Sequence, residues 1–157
     1  MSTVNGLPAH VLLVHGVVVL VPLTAVLLAL SALAPAVRRR LIWLVAALAV
    51  MGAVLTPITA EAGETLAERF PAPSEALRTH IDLGRATVYF AVALLVVALL
   101  VVAAHLIELR GGSIGRTPAA LLGILALVVG IAAGVQCYRV GDSGARAVWG
   151  VEAASNL

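Results

Sequence analysis

The chain has 157 residues, 62% hydrophobic and 11% charged, and its formal net charge of +2 comes from arginine alone. A soluble domain of this size cannot hide so much apolar surface, so the composition argues for a membrane protein. The small positive excess excludes a nucleic-acid surface, and the single Cys137 excludes an internal disulfide or a cysteine-rich metal site.

The first segment opens at Pro8, a residue suited to a first helical turn, and runs to Ala34 with Pro22 as an expected kink. Val11 to Ala34 carries no charge and exceeds the roughly 20 residues a helix needs to cross a bilayer core. Arg38-Arg39-Arg40 follows, then a second uncharged span, Leu41 to Ala60, with Trp43 beside the arginines and Pro57 near its far end. A triple arginine between two such spans reads as a cytoplasmic turn, which puts the N-terminus outside. A cleavable signal peptide is not expected, because the positive charge follows the first apolar segment instead of preceding it.

The long polar stretch, Glu61 to Arg85, reads as an outer loop broken at Phe70-Pro71-Ala72-Pro73, with Ser74 as the N-cap of a third helix. Leu77, Ile81, Gly84 and Val88 recur at helical spacing, and the apolar span continues to Ile107. A glycine-rich turn, Arg110 to Arg116, leads into Thr117-Pro118 and a fourth span ending near Tyr138. Ala119, Gly123, Gly130 and Gly134 share a face there and read as close packing inside the bundle. The remainder, 139–157, reads as an outer tail with a turn at Gly141-Asp142-Ser143-Gly144. Tyr89, Tyr138 and Trp149 are candidates for an outer aromatic belt.

The expected fold is therefore all-α: an integral membrane four-helix bundle, antiparallel up-down, N-out and C-out. One transmembrane domain spans 1–157, with helices over 8–34, 41–60, 74–108 and 118–138, outer loop 61–85 and outer tail 139–157. Arginines divide five and five between the sides, but the inner five lie in two short loops, where the positive-inside rule has most force.

This topology gathers His10, His15, His80, Glu61 and Glu64 at one depth and leaves His105 at the opposite end. His10 and His15 stand about 140° apart round a helix, so both cannot face the bundle centre. Gly84, one turn below His80, leaves room for a bulky group. His80 with His15 would suit the axial positions of a haem, whereas a divalent metal would draw on His10, His80 and Glu64. Against both stands the ordinary use of such histidines, hydrogen-bonded or solvated at helix ends.

Ala9-His10-Val11-Leu12-Leu13-Val14-His15, with Glu61 to Glu64 and His80 to Arg85, resembles a bacterial membrane family filed as domain of unknown function 2231. Members typically open helix one with His-Pro-x-x-Val-His-Phe-Pro and carry a histidine before helix three. The two histidines, Val14 and His80 match that pattern; Val11 stands where the first proline would be, and Gly16-Val17 replaces Phe-Pro. The glycine-rich ending, Arg139 to Gly150, is also similar. Relatives fused to cytochrome c-like or Rieske-type domains imply a redox setting for some members. The resemblance to a bacterial membrane family further implies the inner (plasma) membrane as location, with the lipid bilayer and redox or other membrane proteins as partners.

Two functional classes follow: a subunit binding haem b or a divalent metal through His10, His15, His80 and Gly84 or Glu64, and a structural or assembly subunit without cofactor. A transporter is less expected, since the spans lack acids and arginines in their middle thirds and show no inverted repeat of broken helices. Hydrolytic chemistry has no support, because Ser31, Ser113 and Ser143 lack an acid and base at useful spacing. Gly111-Gly112 also lacks the context of a phosphate loop.

Overall fold

The computed structural model describes residues 3–4, 7–69, 72 and 74–155. Two antiparallel two-residue strands, β1 (Thr3–Val4) and β2 (Leu7–Pro8), precede the helices. Four helices run through the described residues: α1 (Ala9–Leu33), α2 (Pro35–Ala67), α3 (Glu75–Leu109) and α4 (Arg116–Ser155). All four are long and apolar enough to cross a membrane. Each of α1–α2, α2–α3, α3–α4 and α4–α1 packs along its length, while α1 and α3 also touch across the diagonal. The start of α1 meets the end of α2 through His10 and Thr59, and the start of α3 meets the end of α4 through His80 and Val140.

The helices are longer than the apolar runs, and the reason differs at each end. Arg38-Arg39-Arg40 was expected to form the turn between spans, but only Ala34 separates α1 from α2, and the arginines lie in the first turns of α2. Pro35 at the first position starts the helix early. Arg38 then turns inward, only 3% exposed, and donates from Nη1 to Ser31 O and Ala32 O at 3.3 and 3.4 Å. These are last-turn carbonyls of α1 that would otherwise lack partners. The same guanidinium pairs with Glu108 near the end of α3. Arg39 and Arg40 stay exposed.

At the other end, Glu61 to Ala67 continues α2, and α3 starts at Glu75, so the expected outer loop contracts to 68–74. Ser74 caps α3 as expected, accepting from the Leu77 amide at 3.2 Å. The expected tail is helical through Ser155: Gly141-Asp142-Ser143-Gly144 continues α4, with Ser143 buried and Asp142 paired to Arg146 one turn on. The α3–α4 turn closes with Gly111 at φ +78°; Gly112 donates to Ile107 O and Gly111 to Glu108 O.

Val21, Leu28, Ile42, Val45, Leu94 and Val101 form the fully buried centre. Ile124, Val128, Ile131 and Val135 of α4 point outward, as a helix facing lipid requires. Gly123 and Gly130 pack on α1, against Leu33 and Ala25, whereas a methyl at Gly134 would meet nothing within 4 Å. The small-residue face thus serves the bundle interior at two of its positions.

The buried faces repeat. Val17, Val21, Thr24, Leu28 and Ser31 of α1 match Thr87, Ala91, Leu94, Ala98 and Val101 of α3 at one constant sequence offset. Ile42, Val45 and Gly52 of α2 likewise match Gly123, Ala126 and Ala133 of α4 at a second constant offset. The hairpin α3–α4 therefore repeats α1–α2 in parallel, a kind of repeat distinct from the inverted one sought in transporters. Its extra residues fall in the longer end of α3 and the Arg110–Gly115 turn.

Candidate functional site

Where α1 begins, α2 ends, α3 begins and α4 nears its end, the bundle opens into a pocket of about 710 Å³. That volume lies within the range of small-molecule and cofactor sites, roughly 300–1,000 Å³. Its walls are mostly apolar (Val14, Val18, Leu66, Leu77, Ile81 and Val148 among them), and its polar side chains include His10, Glu64 and His80.

Each histidine is held by the helix beside it. His10 on α1 donates from Nδ1 to Thr59 O of α2 at 2.9 Å, and its ring lies against Gly63, where an added Cβ would stand 2.8 Å from Cε1. His80 on α3 donates from Nδ1 to Val140 O of α4 at 3.1 Å, with Ser143 Oγ also at 3.1 Å. Its ring lies against Gly144, where a Cβ would stand 3.1 Å from Cε1. A carbonyl can only accept, so Nδ1 carries the proton in the neutral ring and Nε2 keeps its lone pair. Neither Nε2 has a hydrogen-bond partner among the described residues.

Gly84 lines the same pocket, and a methyl there would meet nothing within 4 Å, so the room below His80 is real. Glu64 reaches the rim, but its carboxylate is engaged: Arg85 donates to it from Nε at 2.5 Å and Nη2 at 2.8 Å. The pocket is thus close to electrically neutral, with two nitrogen donors set in apolar walls.

Residues 6–156 match the family described as predicted membrane protein (DUF2231). The chain belongs to the DUF2231 family. No curated protein and no solved structure matches it. Four membrane-length helices and this family together make it a multi-pass membrane protein.

In this DUF2231 chain the expected site residues divide. His10, His80, Glu64 and Gly84 come together at one pocket. His15 does not: it is exposed, outside the pocket lining, and donates from Nδ1 to Val11 O of its own helix at 2.6 Å. The pairing of His15 with His80 about one haem is therefore not assembled, because the rotation of α1 turns His10 inward. Nor do His10, His80 and Glu64 form a metal set. Among the described residues no three His, Cys, Asp or Glu side chains converge on a common point, and Arg85 already holds Glu64.

His105 lies at the far end as expected. It is buried, its ring edge-on to Trp43 with centroids 6.4 Å apart, and its Nδ1 has no partner among the described residues. Sequence reasoning missed the residues that hold the pocket histidines: Thr59, Gly63, Val140, Ser143 and Gly144. A signal was present in the paired runs Ala60-Glu61-Ala62-Gly63 and Gly141-Asp142-Ser143-Gly144, each small–acid–small–glycine.

Proposed function

We propose that this protein is a membrane subunit that holds haem b in the pocket, with His80 as an iron ligand, and serves a redox partner in the membrane. The observation that carries the reading is the state of the His80 ring. Its Nδ1–H is spent on Val140 O, so its Nε2 keeps a lone pair with no partner among the described residues, at an apolar pocket, and anchoring of this kind is what fixes the tautomer and orientation of metal-ligating imidazoles. Haem held by histidine supplies one-electron chemistry, its potential set by axial ligands and surrounding polarity. The chain's own contribution is to bind, to orient the imidazole and, through its apolar walls, to limit water.

The pocket end is assigned to the non-cytoplasmic side of a bacterial plasma membrane, since Arg38 to Arg40, Arg110 and Arg116 lie at the other end. One observation favours a second reading. His10 joins α1 to α2 and His80 joins α3 to α4, as a structural or assembly subunit without cofactor would use them.

A spectrum of detergent-purified protein from its native host separates the two. Haem binding gives a Soret band that shifts on reduction, with one iron per chain by elemental analysis; His80→Ala abolishes the band and His105→Ala leaves it intact. A colourless protein without stoichiometric metal establishes the structural reading instead.

A further inference from the structure

The pocket contains one arrangement twice. In the first hairpin, His10 of α1 donates to Thr59 O of α2 and lies on Gly63, four residues further along. In the second, His80 of α3 donates to Val140 O of α4 and lies on Gly144, again four residues further along. His10 and His80 correspond at the same sequence offset that matches the buried positions of α1 and α3. Thr59 with Val140, and Gly63 with Gly144, correspond at the offset that matches those of α2 and α4.

A parallel repeat of two hairpins has its pseudo-two-fold axis along the bundle, and both histidines line one continuous pocket at one end of it. The repeat extends to the tautomer, since both rings have Nδ1 on a carbonyl and Nε2 without a partner among the described residues. Glycine leaves each ring room against the neighbouring helix: a Cβ would stand 2.8 Å from the His10 ring at Gly63 and 3.1 Å from the His80 ring at Gly144.

We infer that the pocket is a duplicated half-site, in which His10 is the equal of His80 and the two grip a single ligand through equivalent Nε2 atoms from either side of the axis. This rests on the haem reading and names the second axial ligand, which becomes His10 in place of His15. Gly63 and Gly144 act as positioning residues, one for each ring.

The test uses the full chain in detergent, loaded with haem as the probe, and reads ferric absorption and electron paramagnetic resonance. His10→Asn and His80→Asn are the informative variants: the Asn amide can still donate to the carbonyl that Nδ1 used, but has no counterpart of Nε2. The expected result is one low-spin haem per chain. Each single variant becomes high-spin, added imidazole returns each to low-spin, and the double variant retains haem at least tenfold more weakly. His15→Asn leaves the spectrum unchanged. A His10→Asn protein that stays low-spin overturns the shared grip while leaving His80 and the haem reading standing, as does a stoichiometry of two haems. A wild-type chain that takes up no haem overturns both.

Discussion

At the scale of single residues, the informative atoms are hydrogen positions that carbonyls dictate. Thr59 O and Val140 O take the Nδ1 protons of His10 and His80, which leaves two basic nitrogens at an apolar pocket. Two of the glycines at this site, Gly63 and Gly84, then predict substitutions of opposite sign. Gly63→Ala puts a methyl 2.8 Å from the His10 ring and displaces it from Thr59 O; the lost bond costs about 1 kcal/mol, the gain in helix propensity at this position inside α2 offsets about 0.5–1 kcal/mol, and the net change is a small fall in stability. Gly84→Ala meets nothing within 4 Å and removes backbone freedom from a helix interior, so stability rises by about 0.5–1 kcal/mol while the pocket loses room. Melting temperatures in detergent, with haem titrations beside them, check both signs.

At the scale of elements, Arg38 is the junction of three helices. It is buried, caps carbonyls at the end of α1, belongs to the start of α2 and pairs with Glu108 near the end of α3. Glu108→Ala leaves a buried guanidinium without its counter-charge, and the expected loss is about 3–5 kcal/mol. Changing both members to apolar residues of similar size, Arg38→Met with Glu108→Leu, is expected to restore most of that loss. Arg39→Gln and Arg40→Gln, at exposed positions of the same triplet, are expected to leave the melting temperature within about 0.5 kcal/mol equivalent of wild type. Thermal unfolding of the four variants in one detergent tests the ordering.

At the scale of the whole molecule, the helices are longer than a bilayer core requires. A hydrocarbon layer of about 30 Å takes some 20 helical residues, whereas α2, α3 and α4 have 33, 35 and 40. The surplus of α2 and the tail of α4 lie at the pocket end and carry Glu61, Glu64, Asp142 and Arg146, charges that head groups and water accommodate and hydrocarbon does not. With the pocket on the non-cytoplasmic side, a Cys137→Ser chain bearing Glu75→Cys reacts with an impermeant maleimide on intact cells. The same chain bearing Ser113→Cys reacts only after lysis, and the reverse pattern overturns the assigned orientation.

Four spans, their turn chemistry at Ser74 and Gly111, and the common depth of His10, Glu64 and His80 were all legible in the sequence. Charge-free runs of sufficient length have few other structures open to them in lipid, and hydropathy reads that constraint directly. What only the tertiary structure decided was rotation and continuity. Helix α1 is apolar on every side, so no polar stripe encodes which of His10 and His15 faces inward; packing of Val17, Val21 and Leu28 against the other helices chooses His10. Polar runs after Ala60 and after Tyr138 looked like loop and tail because they resemble surface in composition, yet they stay helical. Gly63, within the expected loop, and Gly144, within the expected turn, are the places where α2 and α4 receive an imidazole from the neighbouring helix.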